Sequence, residues 1–226
     1  MKNTVIVAGV IALSSWGFAA QGQNRHTVFK DAAGNATTYI AHYDAVFRGT
    51  HKSIYDKKHN TRTLVPLPAA EFAQEKARTA QRILWTQNLG RPFPPFVATT
   101  YAGQRISSAE LQGKVLVLNF WFVGCSTCEM EMPELNDVYA TYHGHPDVVF
   151  LSLVRSKPAV VTSFLAATPF HYPVASLTPE LLTQLKPPAF PTNVVVDKSG
   201  QYSFESVGGG VGGVGLLKRA IAQALR

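Results

Sequence analysis

Val115-Leu-Val-Leu-Asn-Phe-Trp-Phe-Val-Gly-Cys-Ser-Thr-Cys128 decides the fold. Val115 to Phe122 is a nearly unbroken apolar run, as a strand buried on both faces of a sheet requires. Beyond it, Met130, Leu135, Val138, Tyr139 and Tyr142 recur at helical spacing. Cys125 and Cys128, the only two cysteines among 226 residues, therefore sit between a strand and a helix. Unpaired N–H groups give a helix start partial positive charge, which favours a thiolate on the first cysteine. The thiolate is the form that attacks disulfides. One helical turn also brings the second cysteine within reach of closing a bridge to the first.

Outward from this stretch, strands and helices alternate. Phe96 to Ile106 reads as a short strand or hairpin and Ser108 to Leu111 as a helical turn. The cysteine helix is expected to break or kink at Pro133. Val148 to Val154 is a second buried strand, Pro158 to Ala167 a helix, and Phe170 to Val174 a short extended piece. A helix over Thr178 to Leu185 has Thr178 as its cap and Pro179 at its first position. Asn193 to Val196, a turn at Asp197-Lys-Ser-Gly200, and Tyr202 to Glu205 form a hairpin. Leu216 to Leu225 closes the chain as a helix. The order predicts an α/β fold, a mixed sheet covered by helices on both faces. Gly208 to Gly215 lacks the G-K-[ST] ending of a phosphate loop and reads as a flexible connection into the last helix.

The N-terminal third reads differently. Residues 1–20 have the pattern of a secretory signal peptide: Lys2, an apolar Val5 to Leu13, then Gly17, Ala19 and Ala20. An uncleaved anchor is the alternative. Residues 21–66 are expected to be a β-rich accessory segment. Tyr39 to Phe47 alternates as a strand would, with Thr27 to Phe29 as a possible partner across a turn at Asp31 to Asn35. Ala69 to Thr86 has an amphipathic helical pattern, and Asn88 to Pro95 is a linker. Three units follow: a signal peptide at 1–20, an accessory segment at 21–89 and a main domain at 90–226.

Export changes how the cysteines read. A structural bridge in an exported protein usually joins distant segments, because closing a larger loop constrains the unfolded chain more. A bridge across two residues constrains almost nothing, so this pair reads as reactive. A zinc site needs about four ligands, and neither a second cysteine pair nor a spaced histidine pair is present. No cofactor is expected. The net charge is +7, and +6 without Lys2, densest at Arg48, Lys52, Lys57, Lys58 and Arg62. That cluster reads as a solvated basic surface, with docking of an acidic partner or anionic lipid as the sharper alternative. Nothing in the chain resembles a nucleic-acid-binding module.

Asn119-Phe-Trp121, Cys125-Ser-Thr-Cys128, Glu131-Met-Pro-Glu-Leu135 and Phe190-Pro-Thr-Asn-Val-Val-Val-Asp197, in this order, resemble the TlpA/ResA-type thiol–disulfide oxidoreductases over about residues 90–226. The resemblance implies a thioredoxin-like fold. It implies that Cys125 attacks and Cys128 resolves, that Pro191 follows a cis peptide bond and faces the cysteines, and that Glu131 tunes proton transfer. For Glu131 the alternative is a first-turn glutamate that only complements the helix dipole. It also implies disulfide-containing exported proteins as substrates, a DsbD-type membrane reductant as the recycling partner, and a bacterial periplasmic location. The chain departs from the pattern at Gly124, where many members carry tryptophan, and at Glu129, where a basic residue is common. A carboxylate at 129 disfavours a nearby thiolate. The Ser-Thr dipeptide lacks the histidine of strong oxidants, so a moderate or reducing pair is expected.

Two other functions share this scaffold. A peroxiredoxin-type peroxidase wants P-x-x-x-T-x-x-C around its cysteine, and the residues before Cys125 do not supply it. A copper chaperone of this fold uses C-x-x-x-C with a distal histidine. The spacing here is one residue short, and Met130 and Met132 read as core.

Overall fold

The computed structural model describes residues 27–84, 88–210 and 212–226. The proposed signal peptide lies outside the described residues. In chain order the elements are β1 (Val28–Lys30), α1 (Tyr39–Phe47), β2 (His51–Asp56), β3 (Thr61–Pro66), α2 (Ala69–Leu84), β4 (Val97–Thr99) and β5 (Arg105–Ser107). A 3-10 turn (Ser108–Glu110) then leads to β6 (Val115–Trp121), α3 (Ser126–Tyr142), β7 (Val148–Val154), α4 (Pro158–Ala167) and β8 (Val174–Ser176). The chain ends with α5 (Pro179–Leu185), β9 (Thr192–Val196), β10 (Tyr202–Val207) and α6 (Gly213–Ala224).

The main sheet has the order β10-β9-β6-β7-β8. β6, β7 and β8 run parallel, and β9 lies antiparallel to both β6 and β10. Every residue of β6 is buried, which explains its apolar run, interrupted only by Asn119, at the centre of the sheet. On one face Leu116, Leu118 and Phe120 pack with Leu181 and Leu185 of α5 and with Ala98 and Ile106 of the β4–β5 hairpin. On the other, Val115 and Val117 meet Leu135 and Val138 of α3 and Leu217 and Ile221 of α6. Burial of such a side chain contributes roughly 1.5–3 kcal/mol, so this double-sided core dominates stability. The thioredoxin-like α/β architecture expected from the sequence is the one observed. α3 runs on through Pro133 rather than breaking there. β8 begins at Val174, so the extended piece expected over Phe170 to Val174 is displaced toward the C-terminus.

The accessory segment corrects one expectation. Tyr39 to Phe47 is the helix α1, not a strand. Thr38 caps it, its hydroxyl accepting from the Ala41 N–H at 3.1 Å, and Gly49 ends it at φ +73°. Alternation over nine residues misled because Ala45 and Val46 also fit a helical face with His42, which is fully buried. The strand expected at Thr27 to Phe29 is present as β1, but its partner is β3, which runs parallel to it and pairs antiparallel with β2. His42 holds the unit together, one ring nitrogen 3.2 Å from the Lys30 carbonyl and the other 2.8 Å from Ser53 Oγ. Of the basic cluster, Arg48 pairs with Asp44 and Asp137, and Lys52 with Glu71. Among the described residues no helix is long and apolar enough to cross a membrane.

Candidate active site

Three connections meet at one end of the main sheet. β6 and β7 both deliver their C-terminal ends there, and the antiparallel β9 starts there. The first connection carries the cysteines. Gly124 takes φ +92°, a conformation in which glycine has no Cβ penalty, and turns the chain out of β6 into α3. Cys125 is the N-cap residue of α3, and its Sγ accepts from the Cys128 N–H at 3.3 Å. That geometry places the sulfur where the helix dipole and the Cys128 N–H both favour negative charge. Cys125 and Cys128 are joined by a disulfide with a Cα–Cα distance of 5.3 Å. Both cysteine residues are buried in this disulfide form, Cys125 at 7% exposure and Cys128 at 1%.

The third connection ends in a cis Phe190–Pro191 bond, as expected from the resemblance. Phe190 packs against the cluster formed by Trp121, Cys125, Cys128, Met132 and Val161, so the proline connection and the cysteines share one neighbourhood. Met132 is core, as its spacing suggested. Glu129 does not face the cysteine as an open carboxylate. It is buried, and its Oε1 accepts from the Gly124 N–H at 2.8 Å, which fastens the loop. Burial pushes its pKa up, with the Gly124 bond opposing.

A buried polar row crosses the main sheet. Ser152, Asn119 and Asn193 are register partners across β7, β6 and β9. Ser152 Oγ donates to Asn119 Oδ1 at 3.2 Å, and the Asn119 amide donates to Asn193 Oδ1 at 2.9 Å. Trp121 Nε1 donates to Ser152 Oγ at 2.7 Å. Both asparagine amides donate to Oε1 of Glu131, Asn193 at 3.0 Å and Asn119 at 3.3 Å. Glu131 is 3% exposed. Burial pushes its carboxyl up to about 8; the Asn193 bond opposes this and the charge of Glu134 adds to it. A carboxyl at that value can hold or release a proton near neutral pH, as a proton-transfer group must. The hydroxyl of Tyr172 is buried with no hydrogen-bond partner among the described residues, and the Glu131 charge is one of the influences on it.

The four sequence-derived candidates thus fall at one place: Cys125, Cys128 and Glu131 on α3, and Pro191 at the start of β9. Sequence reasoning missed Asn193, Ser152 and Tyr172 as members of this neighbourhood. A signal existed for the first two: Ser152 is the one polar residue of β7, and Asn193 is a polar residue buried in β9 ahead of three valines. His143, His145 and His171 are exposed. Among the described residues no group of three or more His, Cys, Asp and Glu converges to hold a metal ion.

The comparisons agree with this geometry. The family model described as Redoxin matches residues 88–211. The thiol-disulfide oxidoreductase ResA of Bacillus cereus is 30% identical over 122 residues, covering 53% of this chain and 70% of that protein. The thioredoxin-like protein YneN of Bacillus subtilis is 24% identical over 121 residues, 53% of this chain and 71% of that one. Among solved structures, a thiol:disulfide interchange protein of the thioredoxin family from Chlorobium tepidum superposes with a TM-score of 0.53 at 27% identity. It covers 62% of this chain and 99% of its own.

Proposed function

The chain belongs to the Redoxin family and is a TlpA/ResA-like thiol–disulfide oxidoreductase, and from that premise we propose that it reduces disulfides of exported proteins through Cys125 and Cys128. The observation that carries the assignment is the disulfide-linked cysteine pair at the N-terminus of α3, beside the connection that holds Pro191.

In the reduced form the Cys125 thiolate attacks one sulfur of the substrate disulfide. The substrate S–S bond breaks, one substrate thiolate leaves, and a mixed disulfide forms at Cys125. Glu131 accepts the proton of Cys128. The Cys128 thiolate then attacks Cys125 Sγ and displaces the second substrate thiolate. The substrate has gained two electrons, and the enzyme is left in the Cys125–Cys128 disulfide form. The Pro191 connection offers backbone groups to the extended substrate segment. Glu131 acts as a proton-transfer residue rather than a mere dipole complement, because it is buried and bonded to two amides instead of facing solvent at the first turn.

The location follows the N-terminal pattern: residues 1–20 act as an export signal and residues 90–226 as the catalytic unit, with 21–89 as an accessory unit. An exported reductase loses its electrons at every turnover, so a membrane thiol reductant of the DsbD type is the partner that restores it. Cys128→Ala should trap mixed disulfides through Cys125 in the exported compartment. Their absence, with the variant folded and Cys125 reactive to a small disulfide, rejects the mechanism. An equilibrium titration against glutathione is expected to give a reducing potential; a value near that of DsbA rejects the direction of flow.

A further inference from the structure

Phe122 is 36% exposed, although its neighbour Trp121 is sealed in the core. Its ring meets that of Phe190 edge to face, with centroids 5.6 Å apart and planes at 85°. The guanidinium carbon of Arg155 stands 6.0 Å from the centre of the Phe190 ring. The three side chains come from the three connections at the cysteine end of the sheet: after β6, after β7 and before β9. Gly124, between Phe122 and Cys125, is exposed, and a Cβ added there would meet nothing within 4 Å, so no side chain fills the space beside the two rings at that position. The charge there has one sign. Residues 122–128, 155–157 and 186–191 include Arg155, Lys157 and Lys186 and no acidic residue. The next carboxylate, Glu129, is turned inward onto Gly124.

We propose that Phe122, Phe190 and Arg155 form the pad that recognises the substrate polypeptide, seating a large apolar side chain on the two rings and a carboxylate on Arg155 beside the disulfide offered to Cys125. This rests on the thiol–disulfide assignment above and adds the chemistry of the segment that is reduced. The pad supplies the flat apolar surface that glycine at 124 does not. Exposed aromatic faces bind apolar and aromatic groups with defined geometry, and a guanidinium is suited to bidentate recognition of a carboxylate. The absence of competing carboxylates on these connections leaves Arg155 and Lys157 free to set the sign of the partner.

The test uses the reduced full-length chain and two cystine-bridged peptides, one with Phe and Glu next to a cysteine and one with Ala and Lys there. Each peptide rate is divided by the rate with hydroxyethyl disulfide, so that changes in thiol reactivity cancel. The wild type should favour the Phe-Glu peptide in kcat/KM by about tenfold. Phe122→Ala and Arg155→Ala should each reduce that preference to about threefold or less, and Arg155→Glu should move it toward the Lys peptide. Equal rates on the two peptides in the wild type, or variants that keep the full preference, overturn the pad and leave the oxidoreductase assignment standing. A wild type inert toward both peptides and hydroxyethyl disulfide overturns that assignment and the pad with it.

Discussion

The Asn193 side-chain amide donates to Oε1 of Glu131 at 3.0 Å, tying the strand that follows Pro191 to the helix that carries both cysteines. The acceptor is a carboxyl whose proton is held up to about 8 by burial, against an ordinary value of 4.5. Such an acid binds its proton more tightly in the folded state than in the unfolded state. Between about pH 4.5 and 8 the native protein therefore carries the extra proton, and stability falls as pH rises through that window. Glu131→Gln keeps an oxygen for Asn119 and Asn193 but cannot ionise. It should match the wild type at pH 4 and exceed it at pH 8 by on the order of a few kcal/mol. Urea midpoints at pH 4, 6 and 8 measure this; a variant less stable at pH 8 than the wild type contradicts it.

The same carboxyl should set the pH dependence of the resolving step. If Glu131 takes the Cys128 proton, decay of a preformed Cys125 mixed disulfide should speed up with pH and level off above the apparent value of the Glu131–Cys128 pair. Glu131→Gln should slow that decay by about a hundredfold at neutral pH and remove the inflection assigned to the carboxyl. Stopped-flow release of a chromophoric thiol follows the step. An unchanged profile in the variant would leave Glu131 with a structural role only.

Tyr172 places a hydroxyl in the interior with no partner among the described residues, stacked on Phe170 and edge-on to Phe150. A buried unpaired hydroxyl costs about 1–3 kcal/mol, and phenylalanine fills nearly the same volume without it. Tyr172→Phe should therefore be neutral or stabilising by about 1 kcal/mol in thermal unfolding. A loss of more than about 2 kcal/mol would mean that the hydroxyl has a partner, such as a bound water bridging toward Glu131.

Much of the catalytic half was legible from residue pattern because its strands are short, apolar and bounded by clear turns. Val115 to Trp121 and Val148 to Val154 cannot be amphipathic elements, and each is indeed buried along its length or nearly so. Cys125, Cys128 and Glu131 were legible because they lie within seven residues of one another on one helix start. The polar row was not, because Asn119 and Asn193 are joined only by strand register, 74 residues apart. The inward turn of Glu129 was hidden for a related reason: sequence position shows adjacency to Cys128, but not which way the side chain points. In the accessory segment nine residues satisfied both periods, and the deciding fact was the Thr38 cap rather than the apolar pattern.

Gly124 tests the loop itself. A Cβ there meets no neighbour, so space is not the constraint; the constraint is φ +92°, which side-chain-bearing residues rarely adopt. Gly124→Ala should cost about 1–2 kcal/mol of stability in the oxidised form. It should also disturb the bond from the Gly124 N–H to Glu129, and with it the position of Cys125. Denaturant midpoints of the oxidised variant measure the cost. A stability equal to that of the wild type would show that the loop relaxes to an ordinary conformation at no expense.

Arg48 tests how the accessory segment acts on the catalytic helix. Its guanidinium bridges Asp44 of α1 and Asp137 of α3, both at 2.9 Å. The pair partners are substantially solvent-exposed, Arg48 at 41% and Asp137 at 62%, so each bond is worth only about 0–1 kcal/mol. Arg48→Ala should lower stability by less than about 1.5 kcal/mol, and the difference should shrink in 1 M salt. Its electrostatic effect should be clearer. Burial raises the carboxyl of Glu134, one turn along α3 from Glu131, and Arg48 is the first influence opposing that rise. Removing the guanidinium should move the Glu134 titration to higher pH, and neutralising Glu134 in turn relieves the repulsion that helps to raise Glu131. Carbon-detected NMR titration of the side-chain carboxyls in wild type and variant reads both shifts. A Glu134 that titrates identically in the two proteins would sever the accessory segment from the electrostatics of the site.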